Sequence, residues 1–273
     1  MSKSESKELA EASSHEMAVP FDDELLMQDA GQGMEDMDST DFTIPYFGIL
    51  QSLSPQVKKN DPAYIKGAEE GMFYNSASGK VYSGEAGVIL VPVHYLKRYV
   101  EWGLREKGGG LVKDWGADSS NLDRASKDDR GRMVTPEGTQ MVTTGTYYAL
   151  VVNPEDGEYE RVIIAMSSTM LRQARKWNNL MSAVKALDPK SGKRFNPASW
   201  YQSYLATSIP DSNDKGSWMT WKIEYGEKTV DLPNGREIYL DARDFHGSIK
   251  SGDVKAAPPV EENDADDLGN DAF

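Results

Sequence analysis

Apolar and polar positions change rhythm several times along the chain, and each rhythm predicts an element. Residues 1–40 mix Ser, Glu, Asp, Met and Gly without sustained periodicity, which predicts disorder, with Phe21-Asp-Asp-Glu-Leu-Leu-Met27 able to close a helical turn against a partner. Order begins near Phe42, where Ile44, Phe47, Ile49, Leu50 and Leu53 supply core positions, and Pro45 predicts an extended or edge start. Met72–Tyr74 and Val81-Tyr82 flank the turn-like Asn75-Ser-Ala-Ser-Gly79, a hairpin pattern. Val88 to Trp102 is a long β-branched and aromatic run. Met141 to Val152 and Tyr159 to Met166 read as strands joined through Asn153-Pro-Glu-Asp-Gly157. Trp200 to Ser208 and Ser217 to Tyr225 form another pair around Pro210–Gly216. Lys228 to Leu232 and Arg236 to Leu240 are expected as a last hairpin around Pro233-Asn-Gly235.

One stretch has the helical period. Met170, Ala174, Trp177, Met181 and Val184 recur at a spacing of three to four residues, after a possible cap at Ser167 or Ser168 and before Pro189 and Gly192. Many short strands with one helix predict a mainly β, α+β fold: an OB-like barrel or small β-sandwich with an inserted helix and a long loop, flanked by disordered acidic arms. The long loop is the polar stretch between Val100 and Met141. The expected organisation is an N-terminal arm over 1–41, a single domain over 42–252 and a C-terminal tail over 253–273.

Charge is divided along the same boundaries. Of 30 basic and 44 acidic side chains in 273 residues, residues 1–41 hold 2 and 12 and residues 253–273 hold 1 and 7, which leaves 27 and 25 for the body. The formal net charge of −14 therefore describes the arms, whereas the body is nearly neutral and compatible with phosphate contacts. With no Cys and only His15, His94 and His246 as histidines, thiolate chemistry is excluded and neither a metal nor a cofactor is expected. The start of the chain lacks an apolar signal region and no run is long enough to span a bilayer; a soluble, cytoplasmic protein without a membrane partner is expected.

A protein that binds single strands without reading sequence needs cations along a groove and aromatic faces for the bases. Alternation through Val88–Trp102 puts Ile89, Val91, Val93, Tyr95, Lys97 and Tyr99 on one face and Val88, Leu90, Leu96, Val100 and Trp102 on the other. Tyr95, Lys97 and Tyr99 then form an aromatic-basic stripe, with Arg98 and Arg105 nearby. On the helix, Trp177 falls at the centre of the apolar face, and Arg172, Arg175, Lys176 and Asn179 share the opposite one. In Ser217–Tyr225, Met219, Trp221, Ile223 and Tyr225 read as the buried set, leaving Trp218 and Lys222 outward as a stacking site. Arg124, Lys127, Arg130 and Arg132 in the long loop are interleaved with acids.

The final residues, Pro258-Pro-Val-Glu-Glu-Asn-Asp-Ala-Asp-Asp-Leu-Gly-Asn-Asp-Ala-Phe273, join an acidic tether to a terminal ring. This tail resembles that of bacterial and phage single-stranded DNA-binding proteins, the phage T7 type included. The stretches Ile44–Pro55 and Ser168–Asn179 are similar in style to proteins of phage replication modules. The resemblance implies a strand-binding protein of DNA replication or recombination, whose Asp266, Asp267, Asp271 and Phe273 dock on replication or recombination partners. No enzyme motif stands out: Ser191-Gly-Lys-Arg194 lacks the rest of a phosphate loop. Asp241, Asp244 and His246 are the best acidic set for a metal-dependent nuclease, although a solvated loop after a strand accounts for them more simply. The other alternative is a scaffold, DNA-mimicking inhibitor or phage structural protein whose arms carry the function.

Overall fold

The computed structural model describes residues 27–29, 32–35, 43–153, 157–214 and 216–256. The chain divides after Asp38, and everything from Thr43 onward belongs to the second unit. The strands are β1 Thr43–Ile44, β2 Phe47–Ile49, β3 Phe73–Asn75, β4 Val81–Tyr82, β5 Val88–Gly103, β6 Leu111–Asp114, β7 Ser126–Lys127, β8 Met133–Val134, β9 Thr139–Val152 and β10 Tyr159–Ser167. Helix α1 spans Leu171–Ala183, followed by β11 Ala186–Leu187, β12 Arg194–Phe195, β13 Gln202–Asn213, β14 Gly216–Lys228, helix α2 Gly235–Ser251 and β15 Lys255–Ala256.

Two long strands form the spine. Antiparallel β5 and β9 pair from Ile89↔Val152 to Gly103↔Thr139. β10 continues the sheet beyond β9, while β13 joins β5 at Tyr204↔Leu90 and is itself paired with β14. The order β14-β13-β5-β9-β10 curls around an inner core of Phe47, Phe73, Leu90, Tyr147, Ile164, Trp177, Tyr204 and Trp221, which α1 closes with Ala174 and Trp177. The small β2-β3-β4 sheet brings Phe47 and Phe73 onto Trp221, with ring centroids 6.4 and 4.9 Å away. Gln51 covers the outer margin of β14: its amide donates to the Met219 carbonyl and accepts from the Met219 N–H, both at 2.9 Å.

A second core lies on the outer side of the sheet. There α2 buries Ile238, Ala242 and Phe245 against Val91, Val93, Tyr148, Leu150 and Ile163. The Arg161 guanidinium lies 4.9 Å from the Phe245 ring and is fixed by Asp241 at 2.5 Å. The Asp241 hydrogen bond raises the Arg161 pKa above its ordinary value.

The mainly β architecture and the hairpins β3-β4, β9-β10 and β13-β14 agree with the sequence expectations. The last expected hairpin is corrected: Arg236–Leu240 belongs to the 17-residue α2. Pro233-Asn-Gly235 looked like a strand-to-strand turn, but Asn234 at φ 53° instead starts a helix. Its pattern Ile238, Ala242, Phe245 is a helical face. The long loop is also more structured than expected, containing β6, β7, β8 and two 3-10 turns.

Candidate nucleic-acid interface

Strand phase fixes what the stripe on β5 can present. A bulge between Pro92 and His94 shifts the pairing with β9, so residues after it change sides relative to those before it. Val91 and Val93 face α2. Tyr95 sits opposite Tyr147, on the side of Val88 and Leu90, which corrects the expected grouping while keeping Tyr95, Lys97 and Tyr99 together. Of these, Tyr95 is 36% exposed and Lys97 is exposed, but Tyr99 is buried. The backbone of Tyr99 is held by the Trp115 main-chain N–H, which donates to the Tyr99 carbonyl, and the Lys97 ammonium lies 5.4 Å from the Tyr99 ring.

The stripe meets the helix at Gly145. A β-carbon there would lie 3.3 Å from both the Tyr95 ring and the Ala174 methyl group. A side chain there would press on both, and glycine leaves the approach unhindered. Tyr95 begins a run of rings beneath α1: Tyr95 to Tyr147 at 4.9 Å, Tyr147 to Trp177 at 4.2 Å, Trp177 to Tyr204 at 5.9 Å and Tyr204 to Tyr225 at 5.7 Å. Both ends are exposed, Tyr225 at 49%; the expectation that Tyr225 is buried is corrected, because β14 is exposed from Glu224 to its end. The hydroxyls hold the helix in place. Tyr147 donates to the Ala174 carbonyl at 2.9 Å, with Asn178 Oδ1 also at 2.9 Å, and Tyr225 donates to the Leu180 carbonyl at 2.8 Å. Burial raises the Tyr147 pKa far above its ordinary value, so the phenol remains a donor.

Trp177 is fully buried, as its place on the helix predicts. On the opposite face Arg175, Lys176 and Asn179 are exposed, and neither Arg175 nor Lys176 has an ion pair among the described residues. Three of the other expected cations are engaged. Arg98 is paired with Asp114, Arg172 with Asp211, and Lys222 with Glu224 at 2.7 Å. Arg105 opens a 3-10 turn. Trp218 does not point outward: it is 7% exposed, and its neighbours Thr220 and Trp221 are 1% exposed. Both faces of β14 are covered near the end of the hairpin, so alternation did not sort inside from outside there. The structure thus leaves Tyr95 and Lys97 exposed on β5 and Arg175 and Lys176 exposed on α1, but not Tyr99, Arg98 or Trp218 as open contacts. Asp266, Asp267, Asp271 and Phe273 lie outside the described residues, as do most of both expected arms.

The remaining candidates are less open. Arg132 is held by Asp128 at 2.9 Å and Glu106 at 3.1 Å, and Arg124 by Glu137 at 2.7 Å. The Arg132 hydrogen bond lowers the Glu106 pKa from its ordinary value. Asp241, Asp244 and His246 lie on α2, not on a loop, and a helix turns Asp244 and His246 to opposite sides. Among the described residues, no group of three or more His, Asp or Glu side chains is arranged to hold a metal, and no helix is long and apolar enough to cross a membrane.

A family model described as Pam3 phage gp34-like protein matches residues 11–255. No curated protein and no solved structure matches the chain.

Proposed function

Because the chain belongs to the family of Pam3 phage gp34-like proteins, and is thereby a phage protein, we propose that it binds single-stranded DNA without sequence preference in phage replication or recombination. The strand order β14-β13-β5-β9-β10, with α1 inserted between β10 and β13, supports reading the body as an OB-like barrel. Such barrels often bind oligonucleotides across their second and third strands, here β9 and β10. In this protein α2 lies over the outer face of those strands, so the reading moves the bound strand to the open end where β5 passes α1. There a base stacks on Tyr95 while Lys97, Arg175 and Lys176 neutralise phosphates. The observation that carries this is the exposed Tyr95 ring where β5 meets α1 at Gly145, on two elements that also expose Lys97, Arg175 and Lys176 without an acid partner among the described residues.

The acidic C-terminal tail has two roles in this reading. It occupies the cationic surface when DNA is absent and, once displaced, recruits replication or recombination proteins through Phe273. Titration of fluorescent oligo-dT with the full chain tests the proposal. Expected is binding that weakens with salt, and Tyr95→Ala costs about 1–3 kcal/mol of affinity. Absence of binding at low salt refutes it. The internal pairing of Arg98, Arg172 and Lys222 favours one second reading, a phage scaffold whose acidic arms do the binding; a silent titration would support that reading.

A further inference from the structure

The hairpin that follows α1 has no role in the interface described above. β11 and β12 pair only with each other, at Ala186↔Phe195 and Leu187↔Arg194. Between them, Gly192 at φ 66° closes the turn onto the Asp188 carbonyl at 2.8 Å. Residues 185–195 contain Lys185, Lys190, Lys193 and Arg194 against a single acid, Asp188. That acid is used inside the turn: its carboxylate accepts from the Ser191 hydroxyl at 2.5 Å and from the Lys190 N–H at 2.9 Å. Lys185 donates to the Asn196 side chain. Lys190, Lys193 and Arg194 are exposed and have no ion pair among the described residues. Beside them Phe195 is 50% exposed and Leu187 is 63% exposed.

An isolated two-stranded hairpin gains little from its own pairing. Exposed large apolar side chains do nothing for solubility, and three uncompensated cations in five residues repel one another. These features fit a ligand that supplies negative charge and a flat apolar face together. Unpaired nucleotides offer both, whereas a duplex conceals its base faces in the stack and an acidic peptide lacks regularly spaced rings.

We infer that the β11-β12 hairpin is a second contact element for single-stranded nucleic acid, with Lys190, Lys193 and Arg194 on successive phosphates and Phe195 stacked on a base. This rests on the strand-binding reading and extends it from the Tyr95 end of α1 to a separate element beyond the helix. Because the hairpin stands on the surface, its side chains can be changed without opening either core.

The test uses the full chain and fluorescent oligo-dT over a series of salt concentrations. The combined Lys190→Ala, Lys193→Ala, Arg194→Ala variant is expected to flatten the slope of log affinity against log salt by about 2, at roughly 0.7 per phosphate contact on a single strand. Phe195→Ala is expected to weaken binding about ten-fold with its salt slope unchanged. Photo-cross-linking of 5-iododeoxyuridine in the oligonucleotide to the peptide containing Phe195 gives a direct readout. If wild type binds and both variants match it in affinity and slope, the hairpin inference falls while strand binding stands. Tighter binding by the triple variant also overturns it, since the hairpin would then be holding the chain's own acidic tail. If wild type does not bind, both readings fall together.

Discussion

Replacing Phe245 by Ala tests whether α2 is an integral part of the fold. The ring is fully buried, packs edge-on to Tyr148 at 6.1 Å and carries the Arg161 guanidinium at 4.9 Å. Deleting a buried Phe side chain costs about 3–5 kcal/mol through lost transfer energy and the cavity left behind. The stranded guanidinium adds about 0.5–1 kcal/mol, partly retained because Asp241 still holds it. Against a total stability of about 5–15 kcal/mol, this is a substantial fraction. At roughly 2–4 °C per kcal/mol for a domain of this size, Tm should fall by about 10 °C. Urea unfolding followed by tryptophan fluorescence and by far-ultraviolet circular dichroism measures the loss. Coincident transitions with an unchanged m-value would mean that α2 unfolds with the sheet. Phe245→Leu should recover most of the stability. A loss below about 1 kcal/mol for Phe245→Ala would refute the docking of α2 described above.

Three further outcomes are expected. His94 is pushed below its ordinary pKa of 6.5 by burial and by the charges of Lys250 and His246, so the unfolded chain takes up a proton first as pH falls. Stability should be flat above about pH 7 and decline below about 6.5, and His94→Gln should remove the decline in denaturation midpoints measured between pH 7.5 and 5.5. Gly84→Ala would put a methyl group 1.9 Å from the Gly71 carbonyl; a loss of about 3 kcal/mol or more is expected by denaturant titration, and a neutral result would contradict the packing of these two loops. Deleting residues 258–273 should tighten oligo-dT binding several-fold at low salt, and the gain should fade as salt screens the tail; unchanged or weaker affinity would count against competition by the tail.

What could be read from the sequence followed the regularity of the backbone. Helix α1 was legible because Met170, Ala174, Trp177, Met181 and Val184 keep one period without interruption, and Trp177 is buried accordingly. Helix α2 was hidden by its start: Pro233-Asn-Gly235 carries the chemistry of a hairpin turn, and local propensity outweighed the weaker pattern of Ile238, Ala242 and Phe245. In β5 the residue types were right but the phase was not, because the bulge at Val93 is marked only by the neighbouring Pro92, which signals an interruption without giving its effect on alternation. Whether a cation is available depends on contacts across the fold. Lys97 and Arg98 are adjacent in sequence, yet only Arg98 meets an acid, Asp114 of β6. The approach of Tyr95 to Ala174 over Gly145 was beyond reach, since it joins a residue 50 positions before that glycine to one 29 positions after it, which only the folded sheet brings together.

The Gln51 amide on Met219 bears on how copies of this protein behave together. A strand margin with free N–H and C=O groups invites the same margin of another copy. By placing a side chain where a neighbouring backbone would sit, Gln51 denies incoming chains their first pair of hydrogen bonds. Gln51→Ala should therefore raise the tendency to self-associate at high concentration more than it lowers the unfolding temperature, a distinction that light scattering alongside calorimetry can make.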